Sequence, residues 1–215
     1  MMCGRFAQYW AFKDWQEIWP ADWHVTNFLP RYNVSPGTQM LSLVHDRDDR
    51  AVGGLILWGL KTPKAFLINA RSETVHSRPT FRSLLLQNRL VIPLNGYYEW
   101  DQTTRQPYYI ASVDGQPAWA LGLYQPMAGG ARAVILTEAA DPQLESIHPR
   151  MPVLVDRPRA EAWLSRQTPQ YQDVLASLNG TAALSLSANA VSKRVNSSRE
   201  EGASLIQPLD PHSSR

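Results

Sequence analysis

The chain has 215 residues, 44% of them hydrophobic, and a formal net charge of +2. That is enough apolar material for a sizeable core, and the charge is too near balance to demand a polyanionic partner. One cysteine excludes a disulfide framework and a cysteine-based zinc site, and no apolar run reaches the ~18 residues that a membrane span needs. No charged-then-apolar leader precedes the first motif, so the expected compartment is the cytoplasm and no membrane contact is expected.

The chain opens Met1-Met2-Cys3-Gly4-Arg5-Phe6. If the methionines are removed, Cys3 carries a thiol and a free α-amine on adjacent carbons. Such groups titrate near ~8.5 and ~7.7–8.0, so both are partly in the reactive form at neutral pH. The amine of a 1,2-aminothiol condenses with an aldehyde to an imine, and the thiol then closes a thiazolidine ring. Met2 is the expected start, because ordinary methionine removal would then expose Cys3. The plain alternative is that a lone terminal cysteine is a small hydrophobe without a role.

Aromatic spacing predicts a helix over residues 7–19, stopped by Pro20. Residues 31–37, Arg-Tyr-Asn-Val-Ser-Pro-Gly, read as a turn-rich loop. A short strand follows at 41–44, a charged hairpin tip at 45–50, and a buried strand at 54–60. In 67–74, Asn69, Arg71 and Glu73 share one face if the chain is extended; a solvated edge is the plain alternative. Phe81, Leu84 and Leu85 mark a short amphipathic helix.

Residues 90–100 read as two strands around an Asn95-Gly96 turn or bulge. Glu99 lies between aromatics in an apolar run. Burial would raise its pKa toward acid–base use, unless alternation turns it to water. Three further strands are expected at 107–111, 118–124 and 131–138, then a helical stretch at 141–147. His148-Pro149-Arg150-Met151-Pro152 reads as a rigid loop displaying a His and an Arg. A strand at 153–155 leads to a helix at 157–165 and another from Thr168-Pro169 to Asn179-Gly180. A last strand is expected at 183–187, a polar basic stretch at 191–201, a short apolar contact at Leu205-Ile206, and a disordered tail at 209–215. Many antiparallel-looking strands, few helices and no βαβ alternation predict one α+β domain over 1–208 with a central antiparallel, barrel-like sheet flanked by a few helices.

Of 21 basic residues only Lys13, Lys61, Lys64 and Lys193 are lysine, so arginine dominates. Arginine suits phosphate backbones and flat rings; a codon bias of the genome explains the same excess. Eight Trp and eight Tyr can stack unpaired bases, although most are expected in the core.

Six ordered strings resemble the SRAP family, SOS-response-associated peptidase-like proteins that process abasic sites in DNA. They are Cys-Gly-Arg-Phe at 3–6, the 31–37 loop, Trp58-Gly59, Ile-Asn-Ala-Arg-Ser-Glu-Thr at 68–74, Gly-Tyr-Tyr-Glu-Trp at 96–100, and Ile-His-Pro-Arg-Met-Pro at 147–152. The resemblance implies binding of single-stranded DNA and covalent capture of abasic sites as a thiazolidine crosslink. It assigns the nucleophile to Cys3, positioning to Asn69, proton transfer to Glu99, and assistance at the imine, crosslink reversal or strand cleavage to His148. Arg71 and Arg150 are implied to grip flanking phosphates, with Arg5, Asn33, Trp58 and Glu73 on or beside the DNA-facing motifs. A monomer without metal or organic cofactor is implied. The family name also records a rival chemistry, a thiol autopeptidase in which Cys3, Glu99 and His148 remove the leader. A second rival is a non-covalent reader of single strands or modified bases.

Overall fold

The structure is a computed structural model and describes residues 3–167 and 184–210. Its first half runs β1 (Phe6–Gln8), α1 (Phe12–Ile18), β2 (Asp22–Trp23), β3 (Arg31–Val34), β4 (Gln39–His45), β5 (Ala51–Trp58), β6 (Leu60–Lys61), β7 (Phe66–Leu67), β8 (Asn69–Arg71) and α2 (Pro79–Gln87). Then come β9 (Arg89–Leu94), β10 (Gly96–Trp100), β11 (Pro107–Ser112), β12 (Ala118–Met127), β13 (Gly130–Ala139), β14 (Arg150–Pro152), β15 (Leu154–Val155), α3 (Arg157–Leu164) and β16 (Leu186–Ala190). Two 3-10 turns follow, Lys193–Asn196 and Ala203–Leu205. The fold is α+β, as the sequence implies.

The long strands form a ring in the order β13-β12-β9-β4-β5, and β5 pairs back onto β13 to close it. The closing pair is parallel, Arg132 against Leu57 and Ala133 against Trp58, whereas the other neighbours are antiparallel. Closure removes free sheet edges. A second sheet, β16-β11-β10-β1-β3, lies beside it.

β9 explains how the two halves share a core. All six of its residues are buried. Val91 packs with Leu85 of α2 and Trp163 of α3, while Leu90, Ile92 and Leu94 pack with Phe6, Tyr97 and Cys3. Strands buried on both faces read as continuous apolar runs, and each such side chain contributes about 1.5–3 kcal/mol on burial.

Asn95-Gly96 is not a hairpin turn. β9 pairs β12 in the ring, and β10 pairs β1 and β11 in the second sheet, so the chain crosses from one sheet to the other there. Asn95 holds the crossing by accepting the Tyr9 and Trp10 amides at 2.7 and 3.3 Å. A Cβ on Gly96 would meet Ile110 O at 2.7 Å, so only glycine fits between the strands.

Other expectations change too. Residues 6–8 pair with β10 and β3, so the first helix starts at Phe12 rather than residue 7. Residues 141–147 form successive turns instead of a helix, with Leu144 and Ile147 amides donating to Asp141 and Leu144 carbonyls. The 148–152 loop contains β14, which pairs β13. The strand expected at 183–187 is β16, shifted to Leu186–Ala190, with residue 183 outside the described residues. The helix expected from Thr168 to Gly180 and residues 211–215 of the tail also lie outside them. Leu209 is held to the fold, its amide donating to Ala190 O at 2.8 Å.

Candidate active site

Strand register brings Cys3 to Glu99. β1 and β10 are antiparallel with Phe6 opposite Tyr97, and Tyr98 N donates to Arg5 O at 2.9 Å. The residues before Arg5 therefore run alongside the end of β10. Cys3 N donates to Glu99 Oε1 at 2.5 Å. Both side chains are only 1% exposed. The other carboxylate oxygen, Oε2, is buried and has no hydrogen-bond partner among the described residues.

Burial raises the Glu99 pKa to about 7, against the lowering effect of the Cys3 and Trp100 amides. Burial, and secondarily the Glu99 charge, also holds the Cys3 thiol well above its usual value. A carboxyl near 7 suits proton transfer in both directions at neutral pH.

Cys3 holds a φ of +30°, a left-handed conformation that a side chain adopts only under strain. Asn69, at the start of β8, reaches the Cys3 carbonyl with Nδ2 at 3.4 Å. β8 is set by parallel pairing to β13, Asn69 against Ile135 and Arg71 against Thr137. Trp58 fixes its approach by donating its indole N–H to Ile68 O at 2.9 Å.

His148 borders two spaces. One is an open cleft of about 530 Å³ lined by Gly4, Arg5, Trp100, Gln102, Arg105 and Asn196 as well as His148. The other is a narrow fissure shared with Tyr97, Glu99, Leu144, Ile147 and Arg150. His148 Nδ1 sits 3.1 Å from both the amide N and the carbonyl O of Arg150, so Nε2 is the ring nitrogen left for the cleft. Burial lowers its pKa, which favours a neutral imidazole.

Arg150 forms a two-pronged pair with Glu73, and its Nη2 donates to Thr137 O at 2.6 Å. Those hydrogen bonds hold the Glu73 carboxyl below its ordinary value. Arg71, next to this pair, is exposed.

Cys3, Asn69, Glu99 and His148 thus meet, and Arg71, Glu73 and Arg150 stand together nearby. Arg5, Asn33 and Trp58 take other places. Asn33 and Trp58 are fully buried. Arg5 Nη1 donates to Asn33 Oδ1 and to Val195 O, both at 2.7 Å, and Asn33 Nδ2 donates to Ser197 O and Glu200 O at 2.9 Å. This staple fastens residues 195–200 to β3, which brings Asn196 to the cleft wall.

Sequence reasoning missed Thr137, Tyr97, Glu138 and Asn196. Glu138 carries a carboxyl raised to about 7 by burial and by Asp141 and Glu73. Tyr97 was readable, because alternation places it on the face of Glu99. Nothing local marks Asn196, which arrives through the staple.

The whole-chain comparisons agree on one family. The model described as SOS response associated peptidase (SRAP) matches residues 2–198. The chain belongs to the SRAP family. It is 32% identical to the abasic site processing protein YedK of Escherichia coli (strain K12), covering 97% of this chain and 100% of that one. YoaM of Bacillus subtilis (strain 168), also named an abasic site processing protein, is 30% identical over 95% of this chain and 97% of its own. The chicken (Gallus gallus) protein HMCES, of the same description, is 26% identical, covering 85% of this chain and 67% of its own. A crystal structure of a phage-related protein from Bordetella bronchiseptica superposes with a TM-score of 0.73 at 29% identity, covering 88% of this chain and 94% of that one. A Bacteroides thetaiotaomicron protein shares the fold at TM-score 0.80 and 17% identity, covering 96% of this chain and 100% of that one.

Proposed function

We propose that this SRAP protein processes abasic sites by capturing them in single-stranded DNA through the α-amine and thiol of Cys3. The observation that supports it best is the 2.5 Å approach of Cys3 N to Glu99 Oε1. With the leader gone, that nitrogen is an amine held against a buried carboxylate. An ammonium there lowers the Glu99 pKa, and the carboxylate raises that of the amine, so the two share a proton.

An abasic deoxyribose is a cyclic hemiacetal. Glu99 takes the C1 hydroxyl proton, the C1–O4 bond opens, and O4 receives a proton from Glu99, with His148 assisting at the imine stage. The amine adds to the C1 aldehyde, the carbinolamine loses water, and an imine forms. The thiol then adds to C1, the imine π pair moves to nitrogen, and the thiol proton ends on that nitrogen. Asn69, bonded to the Cys3 carbonyl, holds the nucleophile in place. Arg71 reaches a phosphate directly, and Arg150 does so by sharing or releasing Glu73. A single strand is favoured because duplex stacking would keep the sugar from a site this deep. The reading places the protein with cytoplasmic DNA, acting as a monomer.

One observation favours a second reading. The strained φ of Cys3 adjoins the bond that self-cleavage would break. The deeply protonated thiol argues against it. Cys3→Ala and His148→Ala proteins separate the two: self-cleavage leaves the leader on Cys3→Ala, whereas housekeeping removal trims His148→Ala normally.

The capture reading is tested with an oligonucleotide bearing one abasic site. An adduct that survives heat and denaturant is expected. Complexes that all dissociate in denaturant would leave a non-covalent reader.

A further inference from the structure

Two tyrosines stand side by side in β10 and differ in one respect. Tyr98 donates its hydroxyl to Tyr32 O at 2.8 Å. Tyr97 is 1% exposed, and its hydroxyl has no partner among the described residues. A buried hydroxyl without a bond costs about 1–3 kcal/mol, so its retention calls for an explanation.

Its surroundings supply one. Tyr97 and Glu99 lie two residues apart on one face of the strand, and both line the narrow fissure beside His148. Tyr97 and Cys3 share one apolar cluster. Cys3 has the strongest electrostatic effect on the phenol, ahead of Glu99, Asp141 and Glu138, and burial keeps the phenol protonated. His148 and Arg150 complete the polar groups of the fissure. The phenol therefore stays a donor across the working pH range and does not itself give up a proton.

The proposed chemistry needs such a donor. Ring closure requires sulfur to gain negative character in a place where burial opposes it. We propose that the Tyr97 hydroxyl is a further catalytic residue, donating a hydrogen bond to Cys3 Sγ as the thiol closes on the imine. The S–C1 bond forms, the C=N π pair goes to nitrogen, the thiol proton passes to that nitrogen through Glu99, and Tyr97 keeps its own proton. This rests on the covalent-capture reading.

The test is Tyr97→Phe, which keeps the ring. Removing a hydroxyl that has no partner is expected to leave the melting temperature unchanged or raise it. Two readouts are compared with wild type. The first is the rate of thiazolidine formation on abasic single strands against pH, with imine trapped separately by borohydride. Tyr97→Phe is expected to form imine at the wild-type rate, to close the ring about tenfold more slowly at neutral pH, and to move the profile to higher pH. The second needs no DNA. Cys3 is the only cysteine, so the pH dependence of its alkylation by iodoacetamide reports its thiol alone, and the midpoint is expected to rise by about one pH unit. An unchanged alkylation midpoint overturns the role of Tyr97. Absence of any wild-type adduct overturns the capture reading instead, and the alkylation midpoint still decides Tyr97.

Discussion

Two buried polar clusters flank the N-terminal strand, and they differ in which polar groups they leave unpartnered. In the Arg5–Asn33 staple, the Asn33 amide donates to the Ser197 and Glu200 carbonyls and its oxygen accepts from Arg5, leaving only Arg5 Nε without a partner among the described residues. In the Cys3–Glu99 cluster, Glu99 Oε2 and the Tyr97 hydroxyl are left without partners. Satisfied buried groups hold a fold in one arrangement, and an unsatisfied acceptor or donor beside a nucleophile is free to serve a substrate or a moving proton. Both clusters come from the same family strings; the staple leaves only that one guanidinium donor, whereas the Cys3–Glu99 cluster leaves a carboxylate oxygen and a hydroxyl beside the nucleophile.

The sharpest way to break this contrast is to remove the nucleophile. Cys3→Ser is expected to abolish the denaturant-stable adduct, leaving at most a labile imine, with the melting temperature little changed. A wild-type yield of stable adduct in denaturing gels would contradict the assignment. Glu99→Gln is expected to slow adduct formation by about 10²–10⁴-fold, the range for a positioned acid–base group. Its affinity for intact single strands should stay near wild type in fluorescence anisotropy.

Asn33→Ala is expected to do the reverse. It removes the hydrogen bonds of the Asn33 side chain to Arg5, Ser197 and Glu200, strands an Arg5 donor, and destabilises the fold by about 3 kcal/mol in urea titrations. The adduct rate of the fraction that remains folded should change far less. If Asn33→Ala lowered the rate without lowering stability, the staple would belong to the active site.

A smaller effect concerns pH. In protein that retains its leader, Glu99 has a folded pKa of about 7, above an unfolded value of about 4.3. Between those values the folded state holds a proton that the unfolded state has released. The stability linked to Glu99 is thus full below the lower value and is lost as pH rises through the upper one, on the order of 3–4 kcal/mol. Glu99→Gln should flatten that decline, which denaturant midpoints at pH 5 and pH 8 would show. The smallest effect is expected from Arg71→Ala, a modest uniform loss of single-strand affinity with a salt slope about 0.7 shallower.

Much of the reactive set was legible because each member sits in a short string with its own chemistry. Glu99 between aromatics and His148 in a loop stiffened by Pro149 and Pro152 announce themselves locally. What was not legible depends on distant pairing. Asn95-Gly96 has the composition of a hairpin turn, and only the partners of β9 and β10 show it to be a crossing. Asn33 and Trp58 sit in strings that resemble DNA-facing motifs, but their burial is set by residues 195–200 and by Ile68. The stretch 141–147 has helical spacing, yet Pro149 bars its continuation and seven residues are too few to repay helix nucleation.

The most direct test of the account is the intact mass of the purified protein before and after incubation with a single strand carrying one abasic site. The account predicts a chain beginning at Cys3, followed by a heat-stable gain of one oligonucleotide less one water. A chain beginning at Cys3 that gains no such mass would contradict it.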